Sequence, residues 1–213
     1  MKYRVLFEKV QRHITTQCHW KCSVKTGRPL SVSAAKRFKD QTGQKLPDGL
    51  VALFQEMGVG PEMYWCYPSD VPDAPCCNMR FPTIKNIIDE MMFRESQVIP
   101  GVEAFVKEKY TGKQREECLK LTKAMHSWIP ILQIGNGDFI CIDGGKANSP
   151  VIYDSHEDQG DNTNGCLLAD NFESFMAGWA KNCFQRPRDD WRCCTGKRGV
   201  EWSSSQFRAP KLK

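Results

Sequence analysis

The segment from Trp128 to Asp143 constrains the fold more than any other part of this 213-residue chain. Two runs rich in β-branched residues, Trp128-Ile129-Pro130-Ile131-Leu132-Gln133-Ile134 and Phe139-Ile140-Cys141-Ile142-Asp143, are joined by Gly135-Asn136-Gly137-Asp138. Asn-Gly between two such runs supplies residues that tolerate positive φ, and a turn built from them matches the twist of the strands it connects. Val151-Ile152-Tyr153-Asp154 follows beyond Gly144-Gly145 as a third run. The segment predicts a meander of at least three antiparallel strands.

Helical patterns surround this meander. In Leu46–Met57, Pro47 falls in the first turn, where a missing N–H costs no hydrogen bond, and Leu50, Leu53, Phe54 and Met57 recur at three- and four-residue spacing. Ser33–Gln41 reads as a shorter helix capped by Ser31 or Ser33 and stopped by Gly43. Thr83 caps a third helix whose stripe of Ile84, Ile87, Ile88, Met91 and Met92 is core packing. Gly101–Ser127 is charged and helical in two pieces broken at Thr111-Gly112, and its weak stripe of Cys118, Leu121 and Met125 predicts a surface helix. A closing helix starts at Asp170, with Asp170 and Glu173 as a capping-box-like pair contributing on the order of 1 kcal/mol. Its stripe of Phe172, Phe175, Met176, Trp179 and Cys183 should pack on the sheet, with Trp128 and Trp179 in the core. Between Gly58 and Pro82 the five prolines and absence of sustained periodicity predict loop or short edge strand.

Charge divides the chain. Residues 1–45 carry 11 Lys and Arg against 2 Asp and Glu, residues 46–180 carry 10 against 20, and residues 181–213 carry 9 against 3. An acidic middle therefore lies between two basic ends, and we expect a basic N-terminal extension over 1–30, a central domain over 31–184 and a basic C-terminal extension over 185–213. The longest uncharged apolar run falls well short of the roughly 20 residues that cross a bilayer. The first residues, Met1-Lys2-Tyr3-Arg4-Val5-Leu6-Phe7-Glu8-Lys9, interrupt with charge the apolar stretch an export signal needs. The expectation is a cytoplasmic protein whose 11 cysteines are thiols and not a disulfide framework.

The ordered set of a Leu46-Pro47 opened helix, a second short helix, Trp128-Ile129-Pro130-Ile131, the Gly137-Asp138 pair leading into Phe139-Ile140-Cys141-Ile142-Asp143, the strand Pro150-Val151-Ile152-Tyr153-Asp154 with His156 after it, and a closing Phe172–Phe175 helix resembles the SUKH superfamily, the Smi/Knr-type domain. The likeness covers about Ser33 to Phe184. Where the family often has an Asn-Gly-Gly type turn after its first helix, this chain has Met57-Gly58-Val59-Gly60. The resemblance implies an α+β module, with a mainly antiparallel sheet and helices packed around it, and no catalysis. It further implies an immunity protein that binds and neutralises a cognate toxin, as bacterial members do, or a regulatory scaffold of the kind found in fungal cell-wall assembly.

The residues themselves offer several surfaces. Asp154, Glu157, Asp158 and Asp161, with His156 among them, crowd a strand exit, and such a loop is favourable when it faces Lys or Arg of a partner. Together with Trp65 and Tyr67 these form the expected partner-binding face. The same loop lacks the alternate spacing and distal Glu of a calcium site, so no metal is expected there. Cys18 and Cys22 with Cys193 and Cys194 could supply four soft ligands to zinc if the ends meet, but structural thiols are the simpler reading. No Gly-x-Ser-x-Gly elbow, phosphate loop or zinc-protease helix is present, so neither an enzyme nor a cofactor is expected. Nucleic-acid binding through the basic ends stands third, and neither a membrane nor a small molecule is expected as partner.

Overall fold

The computed structural model describes residues 3–68, 74–134, 137–155, 164–186, 195–196, 199–204, 207 and 209–212. Two antiparallel sheets organise them. The expected meander forms with strands β4 (Trp128–Gln133), β5 (Phe139–Asp143) and β6 (Val151–Asp154), and a short further strand β7 (Leu167–Ala169) extends it, giving the order β4-β5-β6-β7. Positions 135 and 136 of the connecting turn lie outside the described residues, while Gly137 takes φ 101°, a left-handed value that favours glycine. Between Pro130 and Leu132 the pairing shifts by one residue, leaving Ile131 as a bulge opposite Cys141 and Ile140.

This sheet is covered on both faces. Ile140, Ile142, Val151 and Tyr153 belong to the main core, whereas the alternate residues Cys141 and Ile152 belong with Trp128 to a second apolar cluster. That alternation is the two-residue period of a strand written in burial. The second cluster is supplied by helices α5 (Ile99–Lys109) and α6 (Gly112–Met125), which bury Ile99, Val102, Val106, Cys118 and Met125. The helices break at Tyr110-Thr111, one residue before the expected Thr111-Gly112, and α6 is no mere surface helix, because Cys118 and Met125 close over the sheet.

The second sheet refines the reading of Gly58–Pro82 as loop or short edge strand, since the segment supplies one edge strand and one central strand. Strands β1 (Cys22–Lys25), β2 (Glu62–Cys66) and β3 (Cys76–Arg80) pair in the order β1-β2-β3. Met63 and Trp65 on β2 and Cys77 and Met79 on β3 point into the core, while Tyr64, Cys66, Asn78 and Arg80 point out. The prolines bound these strands and do not interrupt them: Pro61 precedes β2, Pro68 and Pro75 lie in the connection, and Pro82 follows β3. Proline is tolerated at such positions because no ladder hydrogen bond is lost.

The basic ends pack into the same core as the centre. Helix α1 (Tyr3–Thr16) buries Tyr3, Leu6, Phe7, Val10 and Ile14 against it, and β1 is an edge strand of the second sheet, so the boundary at residue 30 does not mark a limit of packing. At the other end the short strands β8 (Thr195–Gly196) and β9 (Gly199–Val200) pair, and Trp202 lies against Phe175 and Phe207. The side-chain oxygen of Gln185 accepts the Ala209 N–H at 2.8 Å. Residues 185–213 are therefore, where described, part of the folded body.

The remaining helices follow their local signals closely. Helix α2 (Val32–Thr42) is capped by Ser31, whose hydroxyl accepts the Ala34 N–H at 3.1 Å, and ends at Gly43 with φ 71°. Helix α3 (Asp48–Met57) starts after Pro47, and α4 (Ile84–Phe93) carries a capping box between Thr83 and Asn86. A π-helical turn, Arg94–Val98, links α4 to α5 without a break in the helical path. The closing helix α7 (Phe172–Ala180) is capped one residue later than expected: Asn171, not Asp170, accepts the Ser174 N–H at 2.8 Å. Among the described residues no helix is long and apolar enough to cross a membrane.

Candidate recognition cleft

Strands β3 and β4 are outer strands of their respective sheets, and both border the same cleft of about 1040 Å³, with α4 between them. The hydrogen-bonding parity of β3 follows from its ends. Tyr67 N–H donates to Pro75 O and Phe81 N–H to Pro61 O, so Pro75, Cys77, Met79 and Phe81 turn their backbone groups toward β2. In an antiparallel ladder the alternate residues turn theirs the other way. Cys76, Asn78 and Arg80 therefore direct N–H and C=O outward, and the Cys76 carbonyl already accepts Arg186 N–H at 2.8 Å.

Across the cleft, Ile134 N–H donates to Asp138 O, which by the same parity leaves Gln133 facing outward from β4. Pro130, buried on this edge, has no N–H to offer, a common way of limiting indiscriminate edge pairing. The lining includes Asn86 and Glu90 of α4, and Phe93 and Phe139 add aromatic surface to it. Burial raises the Glu90 carboxyl above its ordinary range, opposed by the guanidinium of Arg94. The site thus combines outward main-chain groups, amide side chains, the arginines Arg80 and Arg186, and aromatic side chains. This chemistry suits an extended polypeptide segment, with main-chain groups supplying affinity and side-chain pockets supplying selectivity.

The structure places the expected partner-binding residues differently. Trp65 is fully buried and its indole N–H donates to Cys183 O at 2.7 Å, so it is a core residue and not a contact surface. Tyr67 is 40% exposed, with its ring edge-on to Trp20 at 5.0 Å. Asp154 is buried in an ion pair with Arg94 (Oδ2 to Nη1, 2.5 Å), their side chains only 9% and 4% exposed. Cys141 lies beside both, 3.5 Å from Arg94 Nη1 and 3.9 Å from Asp154 Oδ2. Burial raises the Asp154 carboxyl, with Arg94 pulling it back. His156, Glu157, Asp158 and Asp161 lie outside the described residues.

The family-pattern residues are structural. Leu46, Trp128, Trp179, Phe172 and Phe175 are buried, Pro47 precedes α3, and Asp138 is buried as acceptor of the Tyr153 hydroxyl proton. Cys18 and Cys22 are half-buried, and burial pushes both thiols up, Cys22 to about 11, which opposes the thiolate state that zinc requires. Cys193 and Cys194 lie outside the described residues, and among the described residues no group of three or more His, Cys, Asp and Glu is placed to hold a metal. Sequence reasoning missed Arg94, Asn78, Arg80 and Gln133. The alternation Met63/Trp65 and Cys77/Met79 could have revealed the strand edge, but nothing local marks Arg94 as buried.

Comparison with curated proteins finds no match to this sequence. The model of the SMI1 / KNR4 family (SUKH-1) matches residues 29–178, from just before α2 to within α7. The matched stretch holds both cleft-forming strands, β3 and β4, and the helix between them, while α1 and the C-terminal segment lie beyond it yet fold onto the same core. With most of its length matched and the architecture α+β, the chain belongs to the SMI1 / KNR4 family (SUKH-1).

Proposed function

We propose that this chain is a non-enzymatic protein-binding module of the cytoplasm, and that it acts as an immunity protein, binding and neutralising a cognate toxin through the cleft between β3 and β4. The observation that supports this most directly is the outward-facing edge of β3, where Asn78 and Arg80 present main-chain groups beside a cleft of about 1040 Å³. Family membership supports a recognition role in general. A partner seated there would contact both sheets, and stable interfaces of this kind bury on the order of 1,600 Å² in total.

The test is co-production with the toxin encoded beside this chain. Protection of the host cells, and a complex surviving gel filtration, are the expected results. Asn78→Pro removes an outward N–H of β3 without touching a β2–β3 hydrogen bond, and should abolish protection while thermal unfolding stays within a few degrees of the wild type. Undiminished protection by Asn78→Pro and Arg80→Ala would move the recognition face elsewhere. Absence of any toxin gene beside this one, with capture of cell-wall assembly proteins instead, would favour the regulatory-scaffold reading.

A further inference from the structure

Cys66 and Cys76 stand directly opposite each other across the β2–β3 ladder. The flanking pairs, Trp65 with Cys77 and Tyr67 with Pro75, are the hydrogen-bonded ones by the parity worked out above, so Cys66 and Cys76 occupy a non-hydrogen-bonded pair. Residues at such a pair have Cα atoms about 4.5 Å apart and side chains leaning together, which falls inside the roughly 4.4–6.8 Å that a disulfide spans. Both side chains leave the outer face of the sheet: Cys66 is exposed and Cys76 half-buried. Tyr64, two residues along the same face, registers them both, its hydroxyl pKa being raised first by Cys66 and further by Cys76.

From this juxtaposition we infer that Cys66 and Cys76 form a cross-strand redox pair, oxidised to an intramolecular disulfide by exchange with a low-molecular-weight disulfide such as oxidised glutathione. The exposed Cys66 thiolate attacks one glutathione sulfur, forming a mixed disulfide and releasing a glutathione thiolate that takes up a proton. The Cys76 thiolate then attacks the Cys66 sulfur, the Cys66–Cys76 bond forms, and the second glutathione leaves. Two electrons pass to the glutathione disulfide, which departs as two thiols carrying the two protons the cysteines lose.

The other nearby thiols are set apart from this chemistry. Cys77 is adjacent in sequence but points to the opposite, buried face of the sheet. Cys22 and Cys183 share that inner side with it, and burial pushes their thiols up to about 11 and about 12, leaving little thiolate near neutral pH. The bond would close the β2–β3 connection into a small ring next to the Asn78–Arg80 edge. The inference concerns thiol chemistry and stands independently of which partner the cleft takes.

The experiment equilibrates the full-length reduced chain with glutathione buffers of rising oxidised fraction, quenches in acid, alkylates, and maps cysteines by mass spectrometry after cleavage at Asp70 and Asp73. The expected result is a Cys66–Cys76 linkage with a mass loss of two hydrogens. Two thiols held at an effective concentration in the millimolar range or above resolve the adduct as it forms, so glutathionylated Cys66 should stay below about one-tenth of the total. Cys76→Ser should stop at the glutathione adduct on Cys66, and Cys77→Ala should leave the linkage intact, far-UV circular dichroism confirming that each variant is folded. A stable adduct on Cys66 in the wild type, or linkage of Cys66 to any other cysteine, would overturn the inference.

Discussion

Replacing Asp154 by alanine should be among the most destabilising single changes available on this molecule. Its carboxylate pairs with Arg94 in surroundings where the two side chains are 9% and 4% exposed, and the second guanidinium nitrogen, Nη2, is buried without a hydrogen-bond partner. Removing the carboxylate leaves a buried cation beside the Cys141 sulfur, with the half-buried Glu90 carboxyl as the other group acting on it among the described residues. Breaking a buried pair in this way costs about 3–5 kcal/mol, because the remaining charge keeps its desolvation penalty and loses its compensation. For a chain of 150–250 residues each kcal/mol shifts the midpoint by about 2–4 °C, so Asp154→Ala should lower Tm by about 6–20 °C. Exchanging both partners for apolar residues, Arg94→Met with Asp154→Leu, should recover most of that loss, since no charge then remains to be solvated. Thermal and urea unfolding of the wild type, Arg94→Met, Asp154→Leu and the double variant provide the cycle, whose coupling energy isolates the pair. An exposed acidic residue in a partner-facing loop would change stability by no more than about 0.5 kcal/mol. A loss that small for Asp154→Ala, or single losses that simply add in the double variant, would refute the reasoning.

Three further outcomes are expected. Because burial raises the folded-state Asp154 carboxyl above its unfolded value, the folded chain binds that proton more tightly; the contribution of this group is therefore fullest below the unfolded pKa and declines as pH rises through the folded one. The stability difference between wild type and Asp154→Asn, followed from acid to neutral pH, should fall, and a rise would show that Arg94 outweighs desolvation. A β-carbon added at Gly178 would stand 2.1 Å from the Trp202 indole nitrogen, so Gly178→Ala should displace the C-terminal segment at a cost of about 1–3 kcal/mol and raise the protease sensitivity of residues after 195. Wild-type midpoints in that variant would mean that the segment is not docked. With its thiol pushed up to about 11, Cys22 is only about one part in a thousand thiolate at pH 8, and alkylation should mark exposed Cys66 well before it. Equal rates would contradict the burial of Cys22.

Much of the architecture could be read from local chemistry. The β4–β5 hairpin, the Ser31 and Thr83 caps, the division of the charged stretch and the stripes of α3, α4 and α7 all depend on residues within one or two turns of each other, although Met92, expected in the α4 core stripe, is exposed because it lies at the edge of the buried face. The second sheet was obscured for a specific reason. Its strands are short, their alternation spans only two inward residues each, and the prolines that bound them resemble those of an irregular loop. At the basic ends, net charge reports the solvated face of α1 and says nothing of Leu6, Phe7, Val10 and Ile14 on the other.

The candidate site divides along the same line. Asp154 is followed in sequence by acidic residues and reads as one of them, yet strand periodicity and the helical turn carrying Arg94, 60 positions earlier, take it into the interior. Trp65 likewise becomes a core residue through a carbonyl 118 positions away. Periodicity and capping determined which segments became helix or strand, since those interactions are satisfied between near neighbours. Only the tertiary structure decided which edges were left open and which charges were enclosed, because both depend on what distant segments bring alongside them.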